Sequence, residues 1–469
     1  MDINLLSSCM YAIVVSTETR AKLPNSVADL IAKYERKWPG RVMLIEYTGD
    51  VTCSLVDLQK LRPSYSCFVT FHSECSRMFV ARVHHLTREI DQSNPYYDTV
   101  WGILTGRDEE DVLFTLRQKP LIIRRVLSGT PVNLNNFESG VWYNEGKKGE
   151  ATRRKFDSNE VLKEQCPGDA SEDIVRELST PRDREGDKGV DMIVTSGHAS
   201  EKDWNIGYSF ESGKLVSKEG KLCGLTIEGR VIPVTHNGSA KVYSAAGNCL
   251  MGHIKDVNSM ALCWMHSAGV VQMTGYTVVT WFGYAGWGVH SYFIDNPGSM
   301  TFSEAFYANQ QSLIAKLHLK YPTVPIPYLS TADSQTGDDN YECNGLLHDQ
   351  DKVAFYGDPA YEARLMENQE NNCYIKSMKL MPDSNTDTSE WIVCKLSVYT
   401  KCHGKFNCME PSAELMTFPR PPVFILPCMM SAVKIIEGDA VANCRSVLLP
   451  LTGKYFQGQT HDVIIAFKI

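Results

Sequence analysis

The chain has 469 residues, 43% of them apolar and 22% charged, and a formal net charge of -8. That length exceeds one ordinary core and predicts two or three domains, while the acidic balance argues against broad, sequence-independent nucleic-acid binding, which needs Lys and Arg in place of phosphate counterions. No run approaches the roughly 18 consecutive apolar residues of a membrane-spanning helix, and the start MDINLLSSCMYAIVVSTETR has no basic segment before its apolar run; a soluble protein is expected, cytoplasmic or else the mature form of a secreted or cell-envelope protein.

The first elements alternate between strand and helix. Tyr11 to Ser16 is a β-branched run, Val27 to Tyr34 has helical spacing, and Val42 to Tyr47 is again a strand. Cys67 to Phe71 gives a third strand and Met78 to Leu86 a further helix. Strands separated by helices imply right-handed crossovers and a parallel sheet, so residues 1–135 read as an α/β unit. A generic nucleotide-binding fold is disfavoured, because no GxGxxG turn follows the first strand.

Residues 136–189 are polar and charged and read as a connecting region or exposed lobe inserted before the second α/β segment. The cluster Arg153, Arg154 and Lys155 reads as a solvated face. From Val190 the α/β pattern resumes. Met192 to Val194 is a buried strand ending at Thr195-Ser196-Gly197-His198, and a second strand, in KVYSAAGNCLMG, ends at Gly247-Asn248-Cys249. Ile254, Val257, Met260, Ala261 and Trp264 fall at helical spacing, so a helix is expected from near Gly252, with another strand over Val270 to Thr280.

In an open parallel sheet the ligand site lies beyond the carboxyl ends of the strands, where His198 and Cys249 would both project. A cysteine just before a helix N-terminus gains thiolate stabilisation from the first-turn N–H groups. An imidazole from the next strand can take the thiol proton and return it to a leaving amine. Small residues beside each one leave backbone N–H groups open to a developing oxyanion. Cys263, among apolar neighbours in mid-helix, reads as core, and His253, His266 and His290 read as core or surface residues.

The stretches Ser196-Gly197-His198-Ala199-Ser200, Ala246-Gly247-Asn248-Cys249 and Phe355-Tyr356-Gly357-Asp358-Pro359 resemble, in order and spacing, the gingipain-type cysteine peptidases, relatives of caspases, legumains and separases. The resemblance covers residues 10 to about 370. The interval of about 50 residues between histidine and cysteine is similar to that of caspases. The resemblance implies a caspase-like parallel-sheet catalytic unit over 136–372, an amino-terminal α/β subdomain before it, and peptide-bond hydrolysis through a thioester. It puts the base at His198, the nucleophile at Cys249 and the oxyanion donors at the backbone N–H groups of Ala199 and Cys249. The family usually has Gly where this chain has Ala199. Relatives build the pocket for the residue preceding the cut from the segment after the next strand, which puts Trp281, Tyr284 and Trp287 at its walls. Trp281 and Trp287 would stack along a long aliphatic or guanidinium side chain. Glu201 and Asp203 are close enough in sequence to add negative charge.

Asp358, between Gly357 and Pro359, reads as a turn residue. Asp333, Asp338, Asp339 and Asn340 form an oxygen-rich loop able to hold a structural calcium, although the EF-hand spacing is missing; no other cofactor or metal is expected. Beyond residue 372 the helical signal fades. Trp391 to Val398, Val423 to Leu426, Ala432 to Ile436, Ser446 to Leu451 and Val463 to Ile469 are short strands, which suggests a β-sandwich over 373–469. Gingipain-type enzymes often carry an immunoglobulin-like domain in this place. Cys394, Cys402, His403, Cys408, Cys428 and Cys444 lack zinc-knuckle spacing, and the cysteines read as free or locally paired thiols. The two readings carried forward are a cysteine peptidase acting on protein or peptide substrates, and a catalytically weak or inactive caspase-like binding or scaffold protein.

Overall fold

The computed structural model describes residues 9–158, 160–182, 189–327, 341–381, 391–401, 420–449 and 457–468. It is an α/β protein built on one twelve-stranded mixed sheet, with smaller antiparallel sheets attached. The calcium-loop residues Asp333, Asp338, Asp339 and Asn340, and likewise Cys402, His403 and Cys408, lie outside the described residues.

The first half of the sheet holds the strands Val42–Tyr47, Tyr11–Ser16, Tyr65–Val69 and Val100–Leu104, in that spatial order and all parallel. Helices Pro24–Lys37 and Arg77–Leu86 connect them. Alternation along Tyr11–Ser16 explains why both faces are covered. Ala12 and Val14 enter the main core, whereas Tyr11, Ile13 and Val15 enter a second one with Leu30 and Tyr34 of the first long helix.

The second half orders Val270–Tyr276, Lys241–Ala245, Met192–Thr195, Arg125–Ser128 and Ser139–Tyr143, again mutually parallel. The late strand Val353–Tyr356 joins the halves, parallel to Val100–Leu104 and antiparallel to Val270–Tyr276. The two halves therefore run in opposite directions, and one hydrophobic core spans them, from Val14 and Trp101 to Val242 and Phe355.

Three expectations change. Residues 136–189 do not stand apart from the sheet: Ser139–Tyr143, Glu150–Arg154 and Val161–Gln165 complete it at one edge, and the helix Ser171–Ser179 buries Ile174, Val175 and Leu178 in the main core. Their polarity reflects an edge position, where charged side chains discourage further pairing. The strand Arg125–Ser128, on the amino-terminal side of the expected boundary at 135, pairs with Met192–Thr195 in the second half. The helix after Cys249 starts at Met260, because Asp256 N–H and Lys255 N–H donate to Ser259 Oγ and the segment between is spent on turns.

The carboxyl-terminal segment forms two antiparallel sheets. Tyr374–Leu380, Ile392–Thr400, Thr460–Lys468 and Ala432–Glu437 make one, and Val423–Ile425, Ser446–Leu448 and Val441–Ala442 the other. They share a core that includes Leu396, Leu426, Val447 and Ile465. Among the described residues no helix is long and apolar enough to cross a membrane.

Candidate functional site

Five parallel neighbours end on the same side of the sheet, and their carboxyl ends enclose a cavity of about 500 Å³. Thr130 and Pro131 follow the strand Arg125–Ser128, Glu145 follows Ser139–Tyr143, and Ser196, Gly197 and His198 follow Met192–Thr195. Gly247 and Cys249 follow Lys241–Ala245, and Thr280 to Gly283 come after Val270–Tyr276. The sheet thus brings His198 and Cys249, distant in sequence, into one concave site of the size that small ligands and side chains occupy.

The two loops are tied together. Asn248, fully buried, donates through Nδ2 to the Gly197 carbonyl at 3.1 Å and accepts from Thr195 Oγ1 at 2.5 Å. One side chain therefore joins the residue before the histidine to the residue before the cysteine. Gly197 has φ +89°, in the left-handed region that suits glycine. Ser196 is held by Trp204, whose Nε1 donates to its carbonyl at 2.9 Å, and by its own hydroxyl on Thr130.

On the cysteine side, Leu250 has φ +59°, a costly conformation for a side chain of this size. It persists because Leu250 N–H donates to Val278 O and Gly252 N–H to Tyr276 O, pinning the loop to the neighbouring strand end. Cys249 is partly exposed, and its Sγ faces Thr280 O at 3.8 Å. The helix that follows Cys249 in sequence starts only at Met260, so the dipole contribution expected of that helix is missing from this geometry.

His198 is exposed, and its ring stacks on Tyr208, centroids 4.7 Å apart and planes 16° apart. Tyr208 is in turn positioned by its own N–H on Glu145 O at 2.7 Å. Among the described residues no hydrogen bond joins His198 to Cys249 and no carboxylate bonds the imidazole. Ala199 faces Trp204 in an isolated antiparallel bridge in which the flanking residues carry both hydrogen bonds. The N–H groups of Ala199 and of Cys249 consequently have no protein partner among the described residues.

The cavity contains one carboxylate, Glu145, which the sequence did not single out. Its Oε1 accepts from Thr130 Oγ1 at 3.1 Å and its Oε2 from Trp142 Nε1 at 3.1 Å. Trp281 and Trp287 line the cavity. Tyr284 does not: it is buried, its ring under the Arg420 guanidinium at 3.6 Å and its hydroxyl on Ser312 at 2.8 Å. Glu201 pairs with Lys255 and Asp203 with Lys214, both outside the cavity.

The remaining candidates have structural partners. Cys263 is buried, shares a hydrogen bond with Ser217, and burial pushes its thiol up to about 11. Burial lowers His290 to about 4, and its Nε2 meets Ser244 Oγ at 2.9 Å. Asp358 accepts from Tyr11, Tyr34 and Lys33, fastening the helix Pro24–Lys37 to the sheet. Arg153 pairs with Glu164 and Glu177. Asp108, Asp111 and His266 cluster closely enough to hold a metal, but Asp108 caps the helix Glu109–Arg117 and Asp111 bonds His266 at 2.9 Å. Compared with protein-family models, with curated proteins and with solved structures, the chain matches none.

Proposed function

We propose that the chain is a cysteine endopeptidase of the gingipain-type, caspase-like class. The observation that carries this reading is the meeting of His198 and Cys249 at one cavity, on adjacent parallel strand ends, with two unpartnered backbone N–H groups beside them. Cys249 Sγ attacks the peptide carbonyl carbon while its proton passes to the His198 imidazole. The carbonyl oxygen becomes an oxyanion and accepts from Ala199 N–H and Cys249 N–H. The C–N bond then breaks, His198 returns the proton to the leaving amine, and a thioester remains. Water, deprotonated by His198, hydrolyses the thioester and restores the thiol. The absent His198–Cys249 hydrogen bond is compatible with this sequence, because such bonds tighten on substrate binding.

Trp281 and Trp287 with Glu145 favour a long basic side chain before the cut, its stem along the indoles and its charge at the carboxylate. A second reading, an inactive scaffold of the same fold, is favoured by Ala199 in place of the family glycine. Peptide acyloxymethyl ketones carrying Arg, Lys, Asp or Leu before the reactive group distinguish the two. The expected result is covalent labelling of Cys249 by the Arg and Lys reagents, lost in Cys249→Ala and His198→Ala and retained in Cys263→Ser. Equal labelling of Cys249→Ala sinks the assignment, and reactivity confined to the Asp reagent overturns the basic preference alone.

A further inference from the structure

A second cavity, of about 820 Å³, lies where the first half of the central sheet meets the carboxyl-terminal sheets. Its walls come from the end of the helix Pro24–Lys37, from Tyr65 at the start of its strand, and from residues 425–427. Four cations and two carboxylates border it, and the pairing is uneven. Lys37 pairs with Glu362 at 3.5 Å, and Arg364 with Glu304 and Glu362 at 3.4 Å each. Among the described residues Arg41 reaches only Met10 Sδ, at 3.9 Å.

Arg445 is the anomaly. Its side chain is 1% exposed, yet its Nε and Nη1 have no hydrogen-bond partner and no carboxylate pairs with it among the described residues. Its nearest compensation is the face of Tyr65, 5.5 Å from the guanidinium carbon, a weak substitute for a counter-anion. Buried guanidinium groups are ordinarily paired, because the desolvation of an unpaired one is costly. Arg445 also acts on its surroundings: it opposes the burial that raises the thiols of Cys9 and Cys428.

With Lys37 and Arg364 compensated, the cavity retains the two positive charges of Arg41 and Arg445. Around them Trp38, Pro39, Leu426 and Pro427 supply apolar wall. The volume falls in the range of small-molecule sites, roughly 300–1,000 Å³. We propose that this cavity binds a small organic phosphate monoester, its dianionic head on Arg445 and Arg41 and its organic body against the apolar wall. A planar guanidinium suits such a head because it offers paired donors. Bound there, the ester bridges the sheet half to the carboxyl-terminal unit. The proposal is independent of any activity at Cys249.

Calorimetric titration of the full chain with phenyl phosphate, with inorganic phosphate and with phenol tests it. Phenyl phosphate should bind at one site, at least about tenfold more tightly than inorganic phosphate, with phenol not binding and the melting temperature rising with ester concentration. Arg445→Met should weaken binding by about 100-fold and Arg445→Lys by less, since the charge survives without the fork. If Arg445→Met fails to fold, the exposed Arg41→Gln keeps the proposal testable and should weaken phenyl phosphate by roughly tenfold. Absence of saturable binding below about 10 mM overturns the proposal, as does equal affinity for phosphate and its ester, or unchanged affinity in both Arg445→Met and Arg41→Gln.

Discussion

At the residue scale, Asn248 sets the distance between the His198 and Cys249 loops with a single amide. Its bond from Thr195 Oγ1 is buried and its bond to Gly197 O part-buried, so removing the amide leaves a buried partner unsatisfied at about 1–3 kcal/mol. On the proposed peptidase reading, Asn248→Ala is therefore expected to lower kcat/KM on the order of 100-fold, the penalty of a misplacement near 1 Å, while iodoacetamide still alkylates Cys249. Asn248→Asp probes the tie from the other side, because it keeps an acceptor for Thr195 and sets a buried carboxylate against Gly197 O in place of the donor. Wild-type turnover in Asn248→Asp would show that the tie is dispensable. At this scale His198 and Cys249 were legible because each ends an apolar run at small residues. Glu145 and Tyr208 were not, since both sit in polar segments without periodicity, and only the pairing of distant strands brings them to the cavity.

Among the elements, the helix Tyr284–Phe293 bears most directly on the cysteine loop. Gly286 lies so close to that loop that an added Cβ would stand 1.9 Å from Ala246 O, three residues before Cys249. Glycine there lets the helix backbone touch the loop, a close approach that no other residue permits. Gly286→Ala should thus cost about 1–3 kcal/mol or more through overpacking, lower the melting temperature and reduce Cys249 labelling together. Gly229→Ala is the contrast: nothing lies within 4 Å of its Cβ, and only its φ of +84° opposes the change, a cost of about 1–2 kcal/mol with labelling intact. A Gly286→Ala protein that melts and labels like the parent would contradict the packing argument. The strands Tyr11–Ser16 and Val42–Tyr47 were legible to the residue, whereas the helix read over Val27 to Tyr34 spans Pro24–Lys37. The start of the helix Met260–Ala268 was not legible, because Ile254 and Val257 mimic helical spacing while Asp256 N–H and Lys255 N–H are captured by Ser259. The edge strands Glu150–Arg154 and Val161–Gln165 were hidden for a different reason, their charged alternation reading as a lobe.

For the whole molecule, the carboxyl-terminal sheets have a core of their own, which from sequence suggests a unit separable near residue 373. The docking surface argues otherwise. Val423 and Leu448 belong to the main core rather than to the terminal one, and Tyr292 donates to Pro421 O at 2.7 Å. Gln311 Nε2, on the long helix Phe302–Lys320, donates to Ser446 Oγ at 2.9 Å, and Asn443 Nδ2 donates to Tyr97 O at 2.7 Å. Arg420 lies over the Tyr284 ring, next to the helix that supports the cysteine loop. Each of these groups is buried, so stripping the terminal unit away leaves several polar atoms without partners and an apolar face in water. At about 1–3 kcal/mol for each unsatisfied group, the loss is comparable with the whole stability of a typical domain, about 5–15 kcal/mol. A chain ending at residue 372 should consequently melt well below the full protein, bind hydrophobic dyes and show no Cys249 labelling by the peptide reagents. Supplying residues 373–469 as a separate chain in the same cells should restore a complex that co-purifies, and labelling with it. A 1–372 chain that melts and labels like the full protein would mean that the sheets are an appendage, and the contacts of Tyr292, Gln311 and Asn443 would then contribute little to the part of the chain that carries His198 and Cys249.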